Sequence, residues 1–118
     1  MVRDALDEAR AAAPIDGVFA TDDLAAAEVL EWARTRELSV PTDLSVIGFD
    51  GTETMRRALP HLATIRQPIA AIAQEAVTIL LDQIEGKAPR PSSDEAGAPH
   101  AQTVEFPGTL IPGRSLAV

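Results

Sequence analysis

Three carboxylates stand where the character of the chain changes. Thr21-Asp22-Asp23 follows the apolar run Ile15–Ala20, and Asp50 follows the apolar run Leu44–Phe49 and precedes Gly51. An apolar run that ends on acid reads as a buried strand delivering a carboxylate to one edge of a sheet. Two such carboxylates facing one cleft suit a polyhydroxylated ligand, because each accepts hydrogen bonds from adjacent hydroxyls. Each acid also has a purely structural reading. Asp caps a helix N-terminus well and its charge suits the helix dipole, and Asp50 before Gly51 suits a turn closed by its own side chain. The functional reading makes Asp22 a ligand contact and leaves Asp23 to start the helix. Two carboxylates can also hydrolyse a glycosidic bond, given the right separation and a raised pKa on one of them. The sequence offers no nucleophile elbow, phosphate loop or dinucleotide fingerprint in support of catalysis. No cofactor and no metal are expected, since no His or third acid follows at ligand spacing. His61 and His100 read as exposed rather than ligating.

The elements that would position these acids alternate helix with strand. Val2, Ala5, Leu6, Ala9 and Ala12 recur at helical spacing over residues 2–13, and Pro14 ends the run. Ile15–Ala20 reads as a short buried strand. Residues 21–37 open on cap-type residues and carry Ala26, Val29, Leu30 and Ala33 on one face of a second helix. Trp32 lies inside that helix and reads as a packing residue. Asp43–Phe49 is a second buried strand, residues 52–59 a weak short helix, and Leu62–Ile65 a short third strand. The longest helical pattern runs from Pro68 to Glu85, with Ile69, Ile72, Ala73, Ala76, Ile79, Leu80 and Ile84 in one apolar stripe and Gly86 just past its end. Residues 88–102 are rich in Pro, Ser and Ala without periodicity and read as a mobile loop. "TVEF" and "GTLI", on either side of Pro107-Gly108, read as two terminal strand pieces within 103–118. Helix and strand in alternation give an α/β fold with an open parallel sheet flanked by helices. Ligands of such sheets sit beyond the carboxyl ends of the strands, where Asp22 and Asp50 would share one edge. Phe49 is the one aromatic residue expected at a strand end there, so a stacking platform would have to come from elsewhere.

Composition narrows the partners. Acids outnumber bases 18 to 10 over 118 residues, for a formal charge of −8. That surface repels phosphate backbones, and no basic cluster offsets it. The absence of cysteine excludes disulfides and agrees with a cytoplasmic location. The N-terminal residues are charged and lack the apolar core of a signal peptide. No apolar run approaches the ~20 residues of a membrane span, so no membrane partner is expected.

The segments "FATDDLA", "VPTDLSVIGFD", "TIRQP" and "LLDQIEG" stand in one order and spacing across residues 15–88. Together they resemble the C-terminal part of lactose-repressor (LacI/GalR) family regulators. The resemblance implies a partial periplasmic-binding-protein-like (type I) fold, with residues 1–66 in the C-terminal effector-binding lobe and 67–87 forming a crossover and a helix of the other lobe. It implies a small-molecule effector such as a sugar, contacted by Asp50, by Asp22 where the family usually has Asn, and near the lobe crossing by Gln67. It implies a homodimer or larger assembly through Ala27 and the segment containing Met55, Arg57, Ala58 and Leu59. Operator DNA would be bound only through an N-terminal head that this chain lacks. A sugar-binding protein of a transport system shares the fold and is the rival reading. Asp22 replaces an amide by a pure acceptor. Gly51 stands where a second acid is frequent, and Glu28 and Glu37 stand where the family often has Gly. A left-handed turn at Glu37 would cost about 1 kcal/mol. Pro112-Gly113 interrupts what the family tends to continue as a strand.

The charge balance makes a direct prediction. A gel shift of this chain with duplex DNA at low salt, where backbone attraction is strongest, shows no complex. A salt-sensitive complex would contradict the charge argument.

Overall fold

The structure, a computed structural model, describes residues 1–87 and 103–117. The loop expected over 88–102 lies outside the described residues. The elements in chain order are α1 (Val2–Ala12), β1 (Gly17–Phe19), α2 (Asp23–Thr35), β2 (Ser45–Asp50), α3 (Glu53–Ala58), β3 (Ala63–Arg66), α4 (Ile69–Ile84) and β4 (Thr109–Ile111). The chain divides into two compact units, one comprising Met1–Gln67 with Gly108–Val118 and the other Pro68–Pro107.

The first unit is a four-stranded sheet in the order β1-β2-β3-β4. The first three strands are parallel, as the alternation of helix and strand predicts. β4 instead runs antiparallel to β3, pairing Thr64 with Ile111 and Arg66 with Thr109. Only Thr109–Ile111 of the two expected terminal pieces is strand; Thr103–Phe106 is not. Pro112-Gly113 ends β4 because the chain must turn over the start of β3. A Cβ at Gly113 would lie 2.5 Å from the Ala63 nitrogen, so only glycine fits there. Beyond it Ser115 is buried between two strands, its hydroxyl donating to the Val46 carbonyl at 2.7 Å and accepting from the Ala63 amide at 2.8 Å.

The core of this unit is built from Leu6, Ala20, Ala26, Val29, Trp32, Ala33, Leu44, Val46 and Leu62. Alanine lets α2 approach β2 closely, and Trp32 supplies the bulk that alanine lacks. Trp32 is 0% exposed, yet its indole N–H is satisfied by Asp7 Oδ1 of α1 at 2.9 Å. The same carboxylate accepts from Arg36 Nε at 2.8 Å. The Arg36 and Arg10 guanidiniums stand 5.4 and 5.9 Å from the indole centroid, within cation–π range. Glu37, just past α2, has φ 56°, so the left-handed turn is made by a residue with a side chain.

Within the second unit α4 begins after Pro68 and ends before Gly86, whose φ is 69°. None of its residues is buried. Its apolar side chains lie open, Ile84 being 71% exposed, while Ile72 and Ile79 are half-buried.

The Asp7 cluster predicts a pH dependence. The Trp32 indole N–H, then Arg36, hold the Asp7 carboxyl below its usual range. A group whose folded pKa is depressed stabilises the fold above its unfolded value and loses that contribution as pH falls through the folded value. Asp7→Asn therefore unfolds at lower urea than the parent chain near neutral pH, and the two curves converge in acid. Fluorescence of Trp32, the only tryptophan, reads both transitions.

Candidate functional site

Parallel pairing brings the carboxyl ends of β1 and β2 to one edge of the sheet. Phe19, the last residue of β1, pairs with Ile47, so β2 runs three residues further, to Asp50. Asp50 pairs with Arg66 at the end of β3. Here the backbone is unusual. Asp50 has φ 104° and Gly51 has φ 61°, two left-handed residues in succession. Gly51 has to be glycine, because a Cβ would come within 2.8 Å of Arg66 Cα. Asp50 carries a side chain in this region, a strain of about 1–3 kcal/mol that the surroundings must hold in place.

Gln67 supplies part of that hold. Its backbone N–H donates to the Asp50 carbonyl at 3.2 Å, and its side-chain amide donates to Asp50 Oδ1 at 2.5 Å. The structure thus joins two of the three residues expected at the ligand site. Asp50 Oδ2 has no hydrogen-bond partner among the described residues.

Asp22 and Asp23 take different places at the start of α2. Asp22 is the N-cap of α2, with Oδ1 accepting the Ala25 amide at 2.7 Å, which is the structural alternative for this residue. It is half-buried and lies past the end of β1, on the same edge as Asp50. Asp23 starts the helix as expected, but it is also 2% exposed. Its Oδ1 accepts the Thr64 hydroxyl at 2.5 Å and its Oδ2 accepts the Gly51 amide at 2.9 Å. The depth at which β2 and β3 lie behind α2 buries Asp23 and leaves Asp22 half-buried.

Phe19 is a second correction. It stands at the same strand edge and is 62% exposed, with its ring edge-on to Phe49 at a centroid distance of 6.2 Å and an interplanar angle of 90°. The edge therefore carries its own aromatic pair, where sequence analysis expects Phe49 alone. The signal that could have found it is its place as the last aromatic before Thr21-Asp22.

The residues expected at an assembly surface lie elsewhere. Ala27, Met55 and Leu59 are half-buried, and Arg57 and Ala58 are exposed. Ala58 and Leu59 line an open groove of about 600 Å³ with Leu30, Val40, Pro41 and Pro60. His61 is exposed and faces Arg114 in the same groove. These residues come from α2, the end of α3 and the loops that lead into β2 and β3, away from Asp50.

The mixed sheet thus carries a strained carboxylate, a partner amide and an exposed aromatic at its carboxyl edge, where ligands of open α/β sheets generally sit. A family profile described as "Periplasmic binding protein-like domain" matches residues 1–116, and the chain belongs to this family. Its relatives are LacI-type repressors. The chain is 46% identical over 70 residues to the sucrose operon repressor of Pediococcus pentosaceus, covering 59% of this chain and 22% of that protein. It is 42% identical over 74 residues to the HTH-type transcriptional repressor CytR of Escherichia coli K12, covering 63% and 22%. Its fold matches a LacI family transcriptional regulator from Arthrobacter sp. FB24 in complex with lactose, with a TM-score of 0.72 and 26% identity over 98% of this chain and 40% of that one. The chain thus spans about a fifth of the length of the two curated repressors. Those proteins are named as repressors, not as enzymes.

Proposed function

We propose that this chain carries the C-terminal share of an effector site in a LacI-type transcriptional regulator, with a sugar or a similar small polar molecule as effector. The observation that supports it is Asp50: a strand-end carboxylate held in a left-handed conformation, fastened by Gln67 through one oxygen and without a hydrogen-bond partner at the other among the described residues. Strain kept at a ligand edge is the mark of a site selected for something other than stability. Phe19 offers an exposed apolar ring at the carboxyl end of β1, which suits the C–H surface of a sugar ring. Asp22 contributes a carboxylate oxygen beyond the one that caps α2. The reading assigns neither acid a catalytic role and calls for no cofactor. The regulator acts in the cytoplasm, reaching operator DNA through a separate head.

Effector binding would favour one arrangement of the binding region over another, and the assembly would pass that preference to the DNA-binding part. Calorimetry of the complete regulator against a panel of mono- and disaccharides identifies the sugar that binds. With that sugar, Asp50→Asn weakens binding about tenfold or more, since a hydrogen bond to a charged group is worth ~1.5–3 kcal/mol. Asn tolerates the left-handed backbone, so the fold persists. Unchanged affinity would remove Asp50 from the site.

The assembly belongs to the same proposal. Each apolar side chain of α4 left in water forgoes ~1.5–3 kcal/mol. We propose that this stripe is covered by a second copy, and that Ala27 with Met55, Arg57, Ala58 and Leu59 forms a further contact. Sedimentation of the chain at micromolar concentration gives a dimer or larger species, which Ile72→Glu and Ile79→Glu dissociate. A compact monomer throughout dilution overturns the assembly, and a dimer that survives both substitutions moves the contact to the other surface.

A further inference from the structure

The buried carboxylate of Asp23 takes no part in the ligand site as described, yet it touches the turn that aims Asp50. Asp23 is 2% exposed and forms no ion pair among the described residues. A buried carboxylate without a cation is costly unless its oxygens are satisfied. Here both are, by neutral donors from two other segments: the Thr64 hydroxyl of β3 and the Gly51 amide beyond β2. Its place in the first turn of α2 adds the positive end of the helix dipole. The chain makes room for this group. A Cβ at Gly48 would fall 2.4 Å from Asp23 Oδ1, so β2 carries glycine where α2 lays the carboxylate against it.

The amide that Asp23 takes belongs to the residue directly after Asp50. Turning about the Asp50 N–Cα bond to relax φ 104° would carry the following peptide with it, take the Gly51 N–H away from Asp23 and leave a carboxylate oxygen unsatisfied in the interior. Gln67 holds Asp50 from the β3 side, and Asp23 holds the following peptide from the α2 side. We infer that Asp23 is a positioning residue: its carboxylate pins the Gly51 amide and thereby keeps Asp50 in the left-handed conformation that presents its free oxygen at the strand edge. This rests on the reading of Asp50 as an effector contact, but the pin itself is tested without any ligand.

Amide exchange and the coupling between the amide and Cα protons, measured by NMR on the folded chain, follow Gly51 and the φ of Asp50. In the parent chain the Gly51 amide exchanges about tenfold to a hundredfold more slowly than that of exposed Thr52, as a charge-assisted bond implies. Asp23→Ala removes the acceptor of both bonds. It abolishes that protection and shifts the Asp50 coupling. Thr64→Val removes only the other bond and leaves Gly51 protected. Unchanged Gly51 protection in Asp23→Ala overturns the inference, and so does equal loss in Thr64→Val, which would mean general loosening. Should Asp23→Ala not fold, the scalar coupling across the bond from Gly51 N to Asp23 Cγ in the parent chain decides, and its absence overturns the pin. Lost protection in Asp23→Ala, with no loss of sugar affinity in the complete regulator, leaves the pin standing and removes Asp50 from the ligand site.

Discussion

One buried carboxylate joins the parts of the sheet unit that meet at its carboxyl edge. Asp23 opens α2, accepts from β3 through Thr64 and accepts from the turn after β2 through Gly51. The interior gives such a group no water to fall back on, so each bond left unmade would expose the full cost of a buried charge. That asymmetry makes the arrangement all-or-none. The glycine at 48, the register of β2 against β3 and the left-handed pair Asp50-Gly51 must agree with one another for the carboxylate to be satisfied. The strain at Asp50 persists because relaxing it would cost more elsewhere.

A core poor in aromatics depends heavily on the one large side chain it has. Trp32 fills the space between α1 and α2 that alanines leave open, and its indole N–H finds Asp7 on the facing helix. Arg36 and Arg10 then close over the ring and the carboxylate, so the unit's outer helix is held by packing and charge at the same place. The C-terminal residues add a second tie. Ser115 donates to one strand and accepts from the next, which stitches residues distant in sequence to the starts of β2 and β3.

The two ends of the sheet thereby acquire different characters. At the carboxyl edge stand acid, amide and exposed aromatic, a combination able to recognise hydroxyls and a ring face together. At the other end Val40, Pro41, Leu59 and Pro60 line an open, mainly apolar groove. The chain leaves the sheet unit after Gln67, the residue that also fastens Asp50, and rejoins it at Gly108.

The order of helices and strands was legible in the sequence because apolar periodicity and local cap chemistry write it directly. The i, i+3, i+4 spacing over residues 2–13, the acids before α2, and Pro68 and Gly86 around α4 all act within a few residues of themselves. So does the delivery of Asp22 and Asp50 to a common edge, which follows from parallel strands of known direction. The sequence could not show that Asp23 is buried, place Phe19 at the edge, or reveal that β4 turns back against β3. Each of these depends on strand order, register and the depth at which one layer lies on another, set by contacts between residues up to fifty positions apart. Sequence alone determined that Asp22 and Asp50 stand at the carboxyl ends of parallel strands. Tertiary structure decided that one aspartate caps a helix while its neighbour is buried against two strands, because only the packed sheet supplies the Thr64 hydroxyl and the Gly51 amide that make a buried charge tolerable.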